Sequence, residues 1–340
     1  MESHTLYFTA PGQVAIQEET LPPPGTGQVL VQSVLSAISS GTELLVYRGQ
    51  FPTGLPVDES LSVLSGAFAY PLRYGYSTVG HVIELGSGVD PAWLGQRVFA
   101  FQPHRSHFLV DVAGLMAIPP GLSFENAAFL PNMETAVNFI LDGAPLVGEG
   151  VAVFGQGAVG LLTAALLARF PLAGLVTLDR YPLRRQASLE AGVTESLDPA
   201  ALDVSDRLSA SFPEGADLVY ELSGAPAALD QAIAAARFSG RVVVGSWYGQ
   251  KRAELDLGGR FHRDRLRLIS SQVSTIAPEL SGRWTKERRF SVAWEMLAKI
   301  DPACWVTQCF PLEQAAQAYR LLDENPGEAI QVLLTYNSSE

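Results

Sequence analysis

The 340-residue chain reads as an α/β protein: a β-rich part joined to a doubly wound parallel sheet. Three observations predict this. The first ~120 residues carry short alternating or apolar runs punctuated by Gly and Pro. From Phe124 onward, short apolar strands interleave with helical patterns, as in a parallel sheet. After about residue 275 the texture becomes mixed again, so the last segment is expected to return to the first part.

In order, strand-like runs lie at 14–16, 29–31, 79–85 and 97–101. Residues 22–25 (PPPG) form a turn or polyproline II segment. Residues 50–72 break the rhythm with prolines and glycines and read either as a long loop or lid or as a plain surface excursion. Residues 124–141 are helical in pattern. Strand 151–154, helix 158–170, strand 175–178 and helix 182–191 follow. Strand 218–221, helix 225–237 and strands 241–245 and 266–270 complete the sheet. Helices at 290–300 and 312–322 and a strand at 330–335 close the chain. The predicted domains are 1–125, 126–273 and a return segment 274–340.

Residues 151–179, VAVFGQGAVGLLTAALLARFPLAGLVTLD, carry the strongest functional signal. A strand leads into Gly155-Gln156-Gly157-Ala158-Val159-Gly160, a helix follows, and a second strand ends on Asp179. This is the order of a dinucleotide site. Gly155 permits the tight turn, Gly157 lets backbone approach a pyrophosphate, and Gly160 lets helix and strand pack closely. The helix N-terminus presents N–H groups to phosphate. Asp179, 24 residues after Gly155, is placed to accept from the adenosine ribose and favours NAD over NADP. Arg180, Arg184 and Arg185 leave NADP open as the alternative, although Arg180 more simply stacks on adenine. Ser223 and Gly245, each just past a strand, lie where the cofactor should run.

A formal charge of −12 argues against nucleic acid as a partner. Cys304 and Cys309 are too few for a disulfide scaffold or a four-Cys zinc site. The N-terminal residues lack the regions of a secretory signal. The longest apolar helical run, 161–168, is far short of the ~20 residues of a membrane span. The expectation is a cytoplasmic protein without membrane association.

The chain resembles the medium-chain dehydrogenase/reductase family, which includes zinc alcohol dehydrogenases and quinone reductases. The resemblance is carried by SAISSGTELLVYRG (36–49), YPLRYGYSTVGHVIELGSGV (70–89), GQRVFAF (95–101), the 151–179 fingerprint and FPLEQAAQAYRLL (310–322). It implies a GroES-like catalytic domain, a Rossmann domain, a cleft between them for nicotinamide and substrate, and a homodimer or tetramer. SSGTELLVYRG with YPLRYGY is especially similar to the bacteriochlorophyllide hydroxyethyl dehydrogenase and threonine dehydrogenase-like branch. The departures concern metal. Zinc members carry a cysteine where this chain has Ser40 and a Gly-His-Glu where it has Gly75-Tyr76-Ser77. The third ligand region offers Pro131-Asn132-Met133-Glu134, and the four-cysteine lobe is missing. Hydroxyl and phenol groups are not zinc ligands at neutral pH, so a zinc-free member is expected.

Without a Lewis acid, side chains must handle the hydroxyl proton. Thr42 occupies the family's proton-relay position, and Tyr76 replaces a ligating histidine. His104 and His107, in FQPHRSHFLV, are candidate general acids; the plain alternative is a pair of surface or loop histidines. Glu43 and Glu134 are candidates for a buried cleft, or for ordinary helix and loop hydrogen bonds. By the resemblance, Thr135 contacts nicotinamide and Val159 presses on its other face. Phe51, Phe68, Tyr70, Tyr76, Trp247 and Tyr248 are core residues individually; as a set they favour a bulky or aromatic small-molecule substrate. The expected function is zinc-independent, NAD(P)-dependent hydride transfer between nicotinamide and an alcohol or ketone. The alternatives are a quinone or enone reductase and a non-catalytic dinucleotide sensor.

Overall fold

The computed structural model describes residues 1–52, 68–202 and 204–336. The loop or lid expected at 50–72 therefore lies mostly outside the described residues. The chain divides into two compact units, one of residues 1–131 and 301–340 and one of residues 132–300.

The first unit opens with a hairpin of β1 (Glu2–Ala10) and β2 (Gln13–Thr20), antiparallel with Leu6 opposite Ile16. Gly12 turns it at φ +74°, a region open to glycine and costly for other residues. β3 (Gln28–Ala37) leads into helix α1 (Ser40–Tyr47). β4 (Thr78–Leu85), β5 (Arg97–Ala100), β6 (His107–Asp111) and β7 (Leu115–Ala117) follow, then the single turn α2 (Phe124–Ala127). Helix α3 (Leu130–Gly143) carries the chain into the second unit.

That unit is a six-stranded parallel sheet of β8 (Gly150–Phe154), β9 (Gly174–Leu178), β10 (Glu195–Leu197), β11 (Ala216–Glu221), β12 (Ala236–Val244) and β13 (Arg267–Ser270). The spatial order β10-β9-β8-β11-β12-β13 is the 3-2-1-4-5-6 order of the Rossmann fold, whose ligands sit beyond the carboxyl ends at the switch point, here between β8 and β11. Every residue of β8 is buried, as expected of a central strand covered on both faces. Helices α4 (Ala158–Leu167), α5 (Pro182–Glu190), α6 (Val204–Ser211), α7 (Pro226–Ala235) and α8 (Lys286–Ile300) complete the unit.

The chain then re-enters the first unit as β14 (Val306–Pro311), α9 (Ala315–Glu324) and β15 (Gln331–Thr335). β15 pairs antiparallel with β3, giving a sheet ordered β14-β15-β3-β4-β5-β7, with β6 also on β3. Ala315, Ala318, Tyr319 and Leu322 of α9 are buried, the one-face spacing of an amphipathic helix. Phe8 meets Tyr319 edge-on with centroids 5.2 Å apart.

Two differences from the sequence reading have physical causes. The return to the first unit begins at Asp301, not at 274, because Arg289 of α8 is buried against Glu134 and Asn138 of α3 in the second unit. β10 and α6 were not expected. β10 is three residues long and α6 has no buried residue, so neither leaves a periodic apolar signal.

Candidate active site

In the first unit the functional side chains gather where β3 runs into α1. Ser39 is the N-cap of α1, a position whose hydroxyl ordinarily accepts from the first turn. It makes no such cap here. Instead its Oγ accepts from the Tyr76 phenol at 2.5 Å, and the same phenol lies 3.4 Å from Thr42 Oγ1. The structure thus brings the predicted Thr42 and Tyr76 together around a third hydroxyl, Ser39, which the sequence analysis missed. A serine opening a helix is normally explained by capping alone, so no local signal marked it.

Beneath this cluster lies Glu43, which has no exposure. Its Oε1 accepts from the Ser39 backbone N–H at 2.7 Å. Its Oε2 accepts from Tyr319 at 2.5 Å and lies 2.9 Å from His104 Nε2. Burial, then the Glu43 charge, pushes the Tyr319 phenol well above its ordinary range, so it stays a donor. His104 Nδ1 is 2.7 Å from Ser36 Oγ, which is 2.7 Å from the Tyr336 hydroxyl. One assignment satisfies every group: Tyr336 donates to Ser36, Ser36 to Nδ1, and Nε2–H to the Glu43 carboxylate. Glu43 therefore belongs to a buried network.

His104 departs from its expected environment. It lies in the connection between β5 and β6, as expected, but it is fully buried with both ring nitrogens occupied, so it is neither a surface residue nor open to a substrate oxygen. Its backbone is pinned where Leu6 N–H donates to the His104 carbonyl at 2.9 Å. Gly75 makes room for the ring. Its φ is +99°, and a Cβ there would sit 2.6 Å from the imidazole. His107 begins β6, opposite Gln32 of β3. Its Nδ1 lies 3.1 Å from Ser106 Oγ. Burial, then His4 and the N-terminal amine, lowers its pKa. None of its contacts joins it to the Tyr76 cluster.

Phe51, Phe68, Tyr70 and Tyr76 belong to one packed aromatic group. Phe51 stacks on Phe68 at 4.5 Å and meets Tyr70 edge-on at 5.6 Å, and Tyr74 meets Tyr76 edge-on at 6.3 Å. Trp247 and Tyr248 lie in the second unit.

The second unit assembles the fingerprint. Gly155 takes φ +92°, and a Cβ on it would strike the Ser223 backbone at 2.6 Å. A Cβ on Gly160 would lie 1.9 Å from the Gly155 carbonyl oxygen. Gly157, the N-cap of α4, faces open space and has no side-chain cap. The first turn of α4 is thus left to a ligand, and the loop fits a pyrophosphate. The Asp179 carboxylate is buried and accepts from the Gln156 N–H at 2.7 Å and the Tyr181 N–H at 2.9 Å. Each oxygen retains a lone pair for a ribose hydroxyl. Arg185 is committed to the Asp179 and Arg180 carbonyls and to Asp198, and Arg184 lies over the Tyr181 ring. Arg180 is exposed. Val159, in the first turn of α4, packs partly against the core.

Along the other carboxyl ends, Ser223 donates through N–H and hydroxyl to the buried Glu221 carboxylate. The Tyr248 phenol, raised by burial and then by Glu221, donates to the same group. Sequence analysis missed Glu221, whose partner Tyr248 is 27 positions away. Gly245 has a packing role, since a Cβ would meet Phe139 at 2.3 Å. Thr135 is the one partly exposed residue between 131 and 139.

Ser40, Tyr76 and the region ending at Glu134 stand where the resemblance implies metal ligands in zinc members. The Glu134 Oε1 is taken by Arg289, at 2.7 Å from Nη2 and 3.1 Å from Nε. Burial raises the Glu134 pKa and Arg289 opposes the rise. Among the described residues no group of three His, Cys, Asp or Glu is arranged to hold a metal ion, and these donors do not fit zinc.

A Rossmann sheet with its glycine turn and acid in place is the arrangement of a dinucleotide-binding fold. The comparisons agree. A "Zinc-binding dehydrogenase" family model matches residues 158–290. D-guloside 3-dehydrogenase of Escherichia coli K12 is 23% identical, over 97% of this chain and 99% of that protein. The Escherichia coli CFT073 alcohol dehydrogenase RspB, solved with NADH, superposes with TM-score 0.78 at 20% identity, over 98% and 99% of the two chains. A putative zinc-binding dehydrogenase of Sinorhizobium meliloti 1021, bound to NADP, gives TM-score 0.77 at 20% identity over the same shares. The chain is similar over nearly its whole length to medium-chain zinc-binding dehydrogenases, and these likenesses support an NAD(P)-dependent oxidoreductase.

The buried network makes a prediction. His104→Leu leaves Glu43 and Ser36 each short of a partner, so it is expected to destabilise the first unit by about 2–3 kcal/mol. Chemical denaturation followed by tyrosine and tryptophan fluorescence measures this; an unchanged midpoint contradicts the network.

Proposed function

We propose that the protein is a zinc-independent dehydrogenase that prefers NAD and interconverts an alcohol and a ketone, with Tyr76 as its proton-exchanging group. The carrying observation is the Tyr76–Ser39–Thr42 hydroxyl cluster. The donor set at the metal-ligand positions supports zinc independence. When bound, nicotinamide supplies or accepts the hydride. This chain's own residues do the rest. In the reducing direction the Tyr76 O–H turns from Ser39 to the developing oxyanion and donates its proton. The Ser39 hydroxyl then rotates to donate to the Tyr76 oxygen, so the phenolate is not left bare. Thr42, 3.4 Å away, is the next hydroxyl for proton return. In the oxidising direction the same groups act in reverse.

The preference for NAD rests on Asp179, held in place by two backbone N–H groups, and on Arg185 being occupied. A fixed carboxylate repels a 2′-phosphate. Cys304 and Cys309 are exposed and form no disulfide, in keeping with a cytoplasmic setting. No helix among the described residues is long and apolar enough to cross a membrane.

Three measurements test this reading. Metal analysis of purified protein should find far less than one zinc per chain, and turnover should survive a chelator; stoichiometric zinc with chelator-sensitive turnover refutes it. Tyr76→Phe should lower kcat by about 10²–10⁴-fold while NADH affinity stays near wild type, and an unaltered kcat removes Tyr76 from the chemistry. Asp179→Asn should weaken NADH by about tenfold and leave NADPH unchanged or tighter. Equal losses for both would remove the basis for preferring NAD.

A further inference from the structure

The second unit contains a fully buried arginine to which the reaction assigns nothing. Arg289, on α8, has no exposure. All five of its N–H donors are engaged. Nε and Nη2 donate to Glu134 Oε1, Nη1 to Asn138 Oδ1 and the Thr275 carbonyl, and Nη2 also to the Val273 carbonyl. Asn138 Nδ2 continues to Ser271 Oγ at 3.1 Å and Asp142 at 2.9 Å, and Ser271 itself donates to Asp142. The guanidinium therefore joins the start of α3, at Glu134, to the segment leaving the carboxyl end of β13.

Strand order says what lies beside those two elements. The glycine turn sits on β8, and Asp179 on β9 takes the adenosine ribose. The rest of the dinucleotide must then run the other way, across the carboxyl ends of β11, β12 and β13. Thr135, next to Glu134, and residues 271–275, just past β13, border that half.

We propose that Arg289 is a positioning residue for the nicotinamide half of the cofactor. Through Glu134 and the Val273 and Thr275 carbonyls it fixes the spacing between Thr135 and the 271–275 segment, so the ring meets a preformed seat. Lysine cannot replace it, because an ammonium has three donors and no planar fork. The inference rests on the dinucleotide reading.

The test compares NADH with ADP-ribose, which lacks the nicotinamide ring, in wild type, Arg289→Lys and Ser271→Ala. Should the wild type prefer NADPH, the pair is NADPH and 2′-phospho-ADP-ribose. Both ligands are titrated on one preparation, so the ratio of their Kd values is unaffected by a loss of folded protein. Arg289→Lys should weaken NADH by about tenfold and ADP-ribose by less than about twofold. Ser271→Ala, a milder break in the same clamp, should move the ratio about threefold in the same direction. Equal changes for both ligands, or none, overturn the proposal and return Arg289 to holding α8 in place. If Arg289→Lys does not fold, Ser271→Ala decides by the same ratio. A wild type that binds neither ligand refutes the dinucleotide reading and the clamp with it; binding of both with an unmoved ratio refutes the clamp alone.

Discussion

Glu43 is a carboxylate without contact with water, and such a group persists only where donors replace the hydration it has lost. Three do: the Ser39 N–H, the Tyr319 hydroxyl and the His104 ring. They come from the β3–α1 junction, from α9 and from the segment between β5 and β6. One charge thereby ties the C-terminal return of the chain to the start of α1. The position of Ser39, and so the geometry of its bond to Tyr76, follows from where Glu43 holds the backbone.

The second unit obeys the same rule with different groups. Asp179 is buried, and the two backbone N–H groups it accepts belong to the glycine loop and to the segment after β9. The acid is thus part of the loop's construction as well as the acceptor proposed for the ribose. Glu221 holds Ser223 and Tyr248 at the neighbouring strand ends, and Glu134 is balanced by Arg289. At the ends of β9 and β11, and on α3, buried acids are thus each tied to a neighbouring segment. Gly157, with open space where a Cβ would be, marks where the cofactor edge stays open.

The sequence was most legible where function depends on local backbone geometry. Gly155, Gly157 and Gly160 could be assigned because a tight turn, an open approach and a close helix–strand contact are each encoded within a few residues. Strands β8, β9, β11 and β12 were legible because they carry short apolar runs with glycine close by. Ser39 and Glu221 were not legible, because their decisive partners, Tyr76 and Tyr248, are 37 and 27 positions away. His104 was misread for a related reason. A histidine among Pro, Arg and Ser has the composition of a loop, and nothing nearby announces that β1 and Gly75 enclose it. Edge strand β14, partly exposed along most of its length, lacks the alternation that would reveal it.

The Glu43–His104 pair bears on the chemistry at the metal-ligand positions. A carboxylate bonded to one nitrogen of an imidazole is the arrangement that orients a metal-ligating histidine, whose other nitrogen must then face the metal. Here the other nitrogen lies 2.7 Å from Ser36 Oγ, which lies 2.7 Å from the Tyr336 hydroxyl. A nitrogen engaged in that way is turned toward hydroxyls, not toward an ion. The chain therefore has a carboxylate–imidazole pair turned inward, into a hydrogen-bond network. The group that the resemblance places at a ligand position is the Tyr76 phenol, which carries a proton of its own. Polarisation by a metal and donation by a hydroxyl are alternative ways to stabilise an oxyanion, and in the function proposed for this chain the Tyr76 hydroxyl takes the second.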